Sequence, residues 1–447
     1  MLKTLVRWSA AAVGGILVLG AVTWYTTLPD EDPRGTWTAP AYGLALRISA
    51  LRAEVFRITP VSCFRENHFP AHYGLVKIAS GATISTNKDG IELRLDSALE
   101  PIRFTTSDLP TECDDPEHRD GGVQHTFDVF WHAMDHHYPF FEVHGVNWKA
   151  QKSLAPETNT VGEAELAKRL RDAVAGLDDG HVQLSMGEQG TFSPERVPNW
   201  LKTAPALTHD RLWDTALNEA DIVVQKVKNI PIRYGIRADG IGYIAIKEME
   251  VQAGLNQSSY DATVQAFAKV AEALQNADAL VVDVRYNPGG ADNVSMALAG
   301  FFTDRTQDIF QKMAWKKPKY SEPFTARLTP SSDLVLTQPT MLLTSELTGS
   351  AAEIFTLAMR ELPNVTVMGS RTSGGLSDMM ELTLPNGWTL GLSSQNYVSM
   401  DGEEFEAIGI PPDIEIPQDG GALLLGSDRV LEQTVQSIRN LILNPAE

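Results

Sequence analysis

The sequence is poor in cysteine and in positive charge. Its 447 residues include two cysteines, Cys63 and Cys113, so neither a disulfide-rich scaffold nor a zinc site built from cysteine is expected. Lysine and arginine number 37 against 57 aspartates and glutamates, a net charge of −20. Because so acidic a surface repels phosphate backbones, we expect no nucleic-acid partner. The 43% of hydrophobic residues excludes disorder for most of the chain, and the length predicts two or three domains.

One long apolar run lies near the N-terminus. No charged residue occurs between Trp8 and Tyr25, and Lys3 and Arg7 precede the run. Its length is close to the ~17–25 residues that span a bilayer, and positive charge before it predicts an extracytoplasmic body. We therefore expect residues 1–28 to be a signal anchor that binds the membrane and holds the body on the periplasmic side. A cleaved signal peptide followed by export is the alternative.

The next part of the chain has the pattern of a small β domain. Within residues 35–112 apolar and polar residues alternate in several short segments, which predicts antiparallel strands. In an oxidising compartment Cys63 and Cys113 are candidates for a disulfide, and two separate buried thiols are the alternative.

Residues 122–186 carry apolar residues at helical spacing, which predicts a helical subdomain. This stretch contains His132, His136 and His137. The residues between the first two do not complete an H-E-x-x-H pattern, so we favour helix surface and packing over a metal site.

Strands and helices alternate in residues 233–418, which predicts an α/β domain with parallel strands. Helices are expected at residues 260–276, at 293–302 and from Ser350 onward. Residues 419–447 are expected to hold a C-terminal helix, at about 428–443.

Three places in the chain could carry chemistry. Ser350 follows an apolar strand and opens a helix, where unpaired N–H groups can stabilise an oxyanion, although serine is also a common N-cap. His181 follows an Asp-Asp-Gly turn and is a candidate general base, with a structural histidine as the alternative. Gly289 and Gly290 end a buried strand and let the backbone approach a ligand, although an ordinary turn has the same composition.

Six segments in order resemble the carboxy-terminal processing (tail-specific) serine protease family: LDDGHVQL, IGYIAI, ALVVDVRYNPGG, LLTSELTGSAAEIF, VMGSRTSGG and FEAIGIPPDIEI. The resemblance implies a crotonase-like α/β core and acyl-enzyme chemistry on peptide or protein substrates, with no cofactor and no metal. It assigns Ser350 as the nucleophile. The oxyanion hole would come from the N–H of Ala351 and that of Gly289 or Gly290.

The branches of this family differ in the general base. One branch places a lysine in a G-x-x-T-x-G-K-G segment, and Gly375 occupies that position here. The chain is more similar to the branch of the tricorn core and the interphotoreceptor retinoid-binding protein, which implies His181 as the base and Glu406 as its orienting carboxylate. A serine precedes the histidine in the tricorn core. Gly180 replaces it here, so His181 must couple to Glu406 directly or through another donor.

The resemblance predicts a serine endopeptidase of exported or envelope proteins whose activity falls in acid, because a base must be unprotonated. The alternatives are a non-catalytic ligand- or peptide-binding protein on the same fold, and an esterase. Many members of the family carry a PDZ module. Residues 187–232 are too short for one and are interpreted as a linker. The lysines of AWKKPKY are interpreted as a solvated loop in preference to a contact for acidic peptides.

Overall fold

The computed structural model describes residues 34–49, 52–70, 82–87, 90–114, 122–254 and 257–443. These residues form two compact units. The N-terminal unit contains those up to residue 114 except 97–99, and the C-terminal unit contains the rest. The expected signal segment 1–28 lies outside the described residues. Within the ranges given, no helix is long and apolar enough to cross a membrane.

The N-terminal unit is a seven-stranded antiparallel sheet in the order β4-β3-β2-β1-β7-β6-β5. Its strands are β1 (Gly35–Ala39), β2 (Leu44–Ile48), β3 (Arg52–Thr59), β4 (Ser62–Pro70), β5 (Ala82–Asn87), β6 (Gly90–Leu95) and β7 (Ile102–Thr106). Alternation along β2 places Leu46 in one apolar cluster with Phe104, and Ala45 in a second cluster. The second cluster contains Cys63 and Cys113, which form a disulfide with Cα atoms 4.9 Å apart.

The C-terminal unit begins with helices that bury one apolar face each. They are α1 (Gly122–His137), α2 (Trp148–Gln151) and α3 (Glu163–Val174). In α1 the buried Phe130 and Met134 lie one turn apart, and in α3 so do Leu166 and Leu170. The chain then forms two short strands, β8 (Gln183–Ser185) and β9 (Thr191–Phe192).

Residues 187–232 are more than the predicted linker. They contain helices α4 (Asn199–Lys202) and α5 (His209–Glu219), and strand β10 (Gln225–Lys226). Trp213 of α5 belongs to an apolar cluster with residues of the central sheet. Helix α4 and strand β10 are too short to show a period in the sequence, whereas α5 has eleven residues and was also not predicted.

The central sheet has seven strands in the order β10-β11-β12-β13-β17-β18-β22, and the strands from β12 onward are parallel. Its further strands are β11 (Ile232–Ile236), β12 (Ile241–Ile246), β13 (Ala279–Asp283), β17 (Thr340–Thr344), β18 (Val365–Gly369) and β22 (Ile414–Glu415). The carboxyl ends of the parallel strands meet at one edge, where the loops after β13, β17 and β18 lie close together.

Helices cover both faces of this sheet, which confirms the α/β prediction. They include α6 (Ser259–Leu274), α7 (Asp292–Ala299), α8 (Ala351–Arg360), α9 (Gly420–Leu424) and α10 (Arg429–Leu443). Leu342 of β17 packs in the same apolar cluster as Phe267 of α6 and Phe355 of α8. Its neighbour Leu343 belongs to the other face, with Ile438 of α10. The predicted helices at 260–276, 293–302 and 428–443 correspond to α6, α7 and α10.

Two smaller sheets complete the unit. One has the order β19-β20-β8-β9, in which the hairpin β19 (Met379–Thr383) and β20 (Thr389–Ser393) pairs with β8. The other joins β14 (Gln307–Lys316), β15 (Lys319–Tyr320), β16 (Phe324–Leu328) and β21 (Gln395–Ser399).

The sheet built on β14 was not predicted, and it corrects the interpretation of AWKKPKY as a solvated loop. This segment forms the end of β14 and the turn into β15. The Nζ atom of Lys317 lies 2.8 Å from Oδ1 of Asp135 on α1, so this lysine makes an ion pair with the helical part of the unit.

Candidate active site

Ser350 lies in the turn between β17 and α8, at the carboxyl edge of the central sheet. Its φ of 51° and ψ of −126° lie in a region that residues with a Cβ rarely adopt. Such strain persists only where neighbouring groups enforce it. Here the Ser350 N–H donates to the carbonyl oxygen of Gly375 at 3.0 Å and to Oε2 of Glu353 at 3.1 Å. The half-buried serine is therefore fixed at the start of the helix.

Glu353, for which the sequence predicted no role, is a fully buried carboxylate that organises this turn. Besides the Ser350 N–H it accepts hydrogen bonds from four groups of the neighbouring loop: Thr372 Oγ1 at 2.6 Å, Ser373 Oγ at 3.1 Å, Gly374 N–H at 2.8 Å and Gly375 N–H at 2.9 Å. Burial raises the pKa of Glu353, although these donors act against the shift. The S-x-x-E spacing of a capping box was the available signal for this residue.

The glycine pair after β13 lies against Ser350. A Cβ built on Gly289, whose φ is 118°, would lie 2.6 Å from Ser350 Cβ and 3.0 Å from the Ala351 nitrogen. Only glycine fits at this distance. The N–H of Gly289 donates to Oδ1 of Asn287 at 2.9 Å. The N–H groups of Gly290 and Ala351 make no hydrogen bond to any described residue. The loop after β13 and the start of α8 meet here, and each of them carries one unpaired N–H donor.

His181 is held through its backbone by the buried Asp179. Its N–H donates to Asp179 Oδ1 at 2.8 Å, while Oδ2 accepts the hydroxyls of Tyr138 and Ser393, each at 2.9 Å. Tyr138 belongs to the segment that follows α1, and Ser393 to β20. Burial, with the nearby charge of Asp179, raises the pKa of the Tyr138 hydroxyl, so it remains a donor. Tyr138 and Ser393 could not be predicted as partners of Asp179, because nothing in the local sequence relates them to it.

The imidazole of His181 lies beside Gly375, the residue whose carbonyl accepts the Ser350 N–H. A Cβ built on Gly375 would lie 3.8 Å from Cε1 and 3.9 Å from Nδ1 of the ring. The fold therefore brings together Ser350, Gly375 and His181. The imidazole ring therefore lies close to the point that the Cβ atom of any other residue at position 375 would occupy.

Glu406 lies under the same loop without a hydrogen bond to His181. Its Oε2 accepts the Leu376 N–H at 2.8 Å. Its Oε1 and the Nδ1 of His181 are both buried, and neither has a hydrogen-bond partner among the described residues. Burial, and after it the charge of Asp179, raises the pKa of Glu406 well above its usual range. The predicted coupling of His181 to Glu406 is thus not formed in this structure.

The histidines of α1 serve packing contacts. The ring of His132 lies edge-on to Trp131 with centroids 4.9 Å apart, and His136 lies edge-on to the buried His137 at 5.6 Å. Burial lowers the pKa values of His132 and His136. Within the part of the chain that the structure describes, no group of three or more histidines, cysteines or acidic residues could hold a metal ion.

The combination of a fixed hydroxyl, an adjacent imidazole and unpaired backbone N–H groups has a definite chemical capacity. A hydroxyl becomes a nucleophile when a base removes its proton, and N–H donors stabilise the negative oxygen that forms on an attacked carbonyl. These are the parts required for acyl transfer.

Comparison with known proteins connects this region to a family. Residues 240–416 match the model of peptidase family S41. The carboxy-terminal processing protease CtpA of Bacillus subtilis is 23% identical over 233 residues, which cover 48% of this chain and 49% of the relative. The carboxyl-terminal-processing protease of Picosynechococcus is 26% identical over 181 residues, 40% and 42% of the two chains. The chain therefore spans about half the length of the curated relatives it matches.

A solved structure supports the same relationship over a longer stretch. The crystal structure of a protein from Parabacteroides merdae, assigned provisionally as a peptidase, covers 71% of this chain and 97% of its own. The sequence identity is 26% and the TM-score is 0.59. The similarity thus extends beyond the residues that match the family model.

Proposed function

We propose that this chain, whose residues 240–416 match peptidase family S41, is a serine peptidase that hydrolyses peptide bonds through an acyl-enzyme. The observation that carries the proposal is the strained Ser350 at the start of α8, beside the unpaired N–H of Ala351 and in the same loop cluster as His181. In this proposal the core of the unit is crotonase-like, as the sequence resemblance implies.

Ser350 is the proposed nucleophile and His181 the proposed base. His181 takes the hydroxyl proton while Ser350 Oγ bonds to the carbonyl carbon of the substrate. It then gives the proton to the leaving amine as the peptide bond breaks. Water, activated by the same imidazole, hydrolyses the acyl-enzyme and restores the serine. No lysine is required, which agrees with glycine at position 375.

We assign the oxyanion hole to the N–H groups of Ala351 and Gly290. The N–H of Gly289 is engaged by Asn287 Oδ1 at 2.9 Å, whereas that of Gly290 has no partner among the described residues. Gly289 has a different role, since its missing side chain allows the loop to approach Ser350 closely. The proposal therefore favours Gly290, where the sequence left both glycines open.

Glu406 is proposed as the carboxyl group that orients His181 when substrate is bound. Two buried unpaired atoms, Glu406 Oε1 and His181 Nδ1, support this role, because burial without a partner is costly and a shift that pairs them is favourable. Hydrogen bonds among catalytic groups are often long before substrate binds and tighten in the complex.

The substrates are proposed to be peptides or proteins outside the cytoplasm. The disulfide between Cys63 and Cys113 supports this location, because such bonds persist in oxidising compartments. The proposal includes residues 1–28 as the signal anchor, with a cleaved signal peptide as the alternative. The anchor would hold the body on the periplasmic side.

Labelling with a fluorophosphonate probe tests the function. The wild type should react, Ser350→Ala should not, and His181→Ala should react at least 100-fold more slowly, the scale of general-base catalysis. Ser258→Ala is the matched control, because Ser258 is also an N-cap serine, with an ordinary φ of −71° and a hydroxyl that accepts the Asp261 N–H. It should label like the wild type.

The outcomes separate the alternatives. Absence of labelling in a folded wild-type protein contradicts the peptidase and favours a ligand- or peptide-binding protein on this fold. Labelling at Ser350 together with turnover of ester but not of peptide substrates favours the esterase.

A further inference from the structure

An ion-pair network around a buried lysine lies beside the proposed site and takes no part in the steps above. Its centre is Lys312 of β14, whose side chain is fully buried, opposite Tyr397 of β21 in the strand register. The Nζ atom of Lys312 donates to Asp378 Oδ2 at 2.7 Å and to the Tyr397 hydroxyl oxygen at 3.1 Å. A lysine is almost never fully buried without such partners.

The Tyr397 hydroxyl connects two carboxylates from different loops. It lies 3.0 Å from Asp378 Oδ1 and 2.8 Å from Asp292 Oδ2. Asp292 begins α7, directly after the loop that carries Gly289 and Gly290. The network therefore ties this glycine loop to Asp378, and both to one rigid cross-strand pair.

Asp378 also belongs to the surroundings of His181. It follows Gly375, which lies beside the imidazole, by three residues. Its carbonyl oxygen accepts the N–H of Ser394, next to the serine that bonds Asp179. Burial raises the pKa of Asp378, but Lys312, the Tyr397 hydroxyl and the charge of His181 outweigh it and hold that pKa below the usual range.

The pKa of Asp292, the second carboxylate of the network, is shifted in the opposite direction. Burial, followed by the charge of Asp378, raises the pKa of Asp292 to about 7, although Lys312 and Tyr397 act against the shift.

We propose that Lys312 and Tyr397 are positioning residues that hold Asp378, and with it the loop of Gly375 beside His181, and that anchor the loop of Gly290 through Asp292. This inference rests on the proposed function. The same network fixes the distance between the oxyanion loop and the loop beside the base, which sets the rate of the chemical step.

Inactivation by a fluorophosphonate, followed over pH, tests the proposal. Tyr397→Phe should lower the maximal inactivation rate on the order of tenfold with little change in probe affinity, because it loosens the loops without altering the surface. Tyr243→Phe is the matched control, since Tyr243 is also fully buried and donates to an aspartate, Asp283, at 2.7 Å. It should inactivate at the wild-type rate.

The role of Asp378 is tested separately. Asp378→Asn should also lower the maximal inactivation rate on the order of tenfold with little change in probe affinity, because it weakens the carboxylate that Lys312 and Tyr397 share. Asp308→Asn removes the exposed carboxylate that pairs with Arg327 at 2.7 Å on the same strand as Lys312, and it should leave the rate unchanged. Circular dichroism establishes that each variant is folded.

Equal rates for Tyr397→Phe and Tyr243→Phe, or a wild-type rate in Asp378→Asn, overturn the inference while the peptidase stands. If Tyr397→Phe does not fold, the inactivation rate of Asp378→Asn decides alone. Absence of labelling in the folded wild type overturns the proposed function and this inference with it.

Discussion

The backbone N–H of Ser350 donates to a carboxylate oxygen of Glu353 at 3.1 Å, one helical turn further along the chain. The same carboxylate accepts the N–H groups of Gly374 and Gly375. One buried side chain thus fixes both the proposed nucleophile and the loop that lies beside His181.

Replacement of Glu353 should disrupt both the conformation of Ser350 and the position of the loop beside His181. Glu353→Gln places an amide N–H₂ group against N–H and hydroxyl donors, so we expect the free energy of unfolding to fall by about 2–3 kcal/mol and fluorophosphonate labelling of Ser350 to be lost. Urea unfolding and labelling measure the two effects. Glu361→Gln, at the exposed C-terminal end of the same helix, is the control and should change neither. A stable, fully reactive Glu353→Gln would contradict this account of the turn.

The close approach of Gly289 to Ser350 leads to a second prediction, on the rate of labelling. Gly289→Ala would place a methyl group 2.6 Å from Ser350 Cβ at a φ of 118°, so the loop must shift. A displaced oxyanion donor should reduce the labelling rate on the order of 100-fold.

Gly387→Ala is the control for this substitution. Gly387 also has a positive φ, 85°, in the turn of the β19–β20 hairpin, and a Cβ there would meet no atom within 4 Å. This variant should lose some stability from backbone strain but keep its reactivity. If both alanine variants label equally, the close approach of Gly289 has no catalytic importance.

The C-terminal helix is attached by a buried ion pair whose strength should depend on pH. Both guanidinium N–H₂ groups of Arg285 donate to Asp428, each at 2.7 Å, and neither side chain is exposed. Burial raises the pKa of Asp428, but the charge and hydrogen bonds of Arg285 prevail and hold that pKa below its usual range. We expect Asp428→Asn to lower the free energy of unfolding by about 3–5 kcal/mol at pH 7.

The loss of unfolding free energy caused by Asp428→Asn should be smaller in acid. Since the pKa of Asp428 is lower in the folded than in the unfolded state, its contribution is complete above the unfolded value, roughly 4, and is lost as pH falls through the folded value. Urea unfolding at pH 7 and at several pH values below 4 measures the decrease. The control is Asp419→Asn at the exposed pair with Arg429, which should cost about 0–1 kcal/mol. A pH-independent loss in Asp428→Asn would refute the ion pair as its cause.

The disulfide of the N-terminal unit should carry much of its stability. Cys63 and Cys113 are 50 residues apart in the sequence, and a bridge over a loop of this length contributes roughly 4 kcal/mol. We expect a reductant to lower the melting temperature of the wild type, and the Cys63→Ser/Cys113→Ser protein to show the lower value under both conditions. Coincident wild-type transitions with and without reductant would argue against the bridge.

Several features could be predicted from the sequence because they depend on neighbouring residues. The helix at Ser350 follows from an apolar strand, a turn of small residues and an apolar period of 3.6. The parallel strands are continuous apolar runs, since both of their faces are buried. The sheet built on β14 was not predicted, because β14 mixes polar and apolar residues and contains the fully buried Lys312.

By itself, then, the sequence determined the alternation of strands and helices, the place of Ser350 at a helix start and the glycine pair in the loop after β13. Only the tertiary structure decided which distant groups meet there: His181 beside Gly375, Glu353 beneath the same loop, and Lys312 with Tyr397 between two aspartates. The reason is physical. Local conformation follows from propensity and period over a few residues, whereas the burial of a charge depends on partners that only the folded chain brings within hydrogen-bond distance.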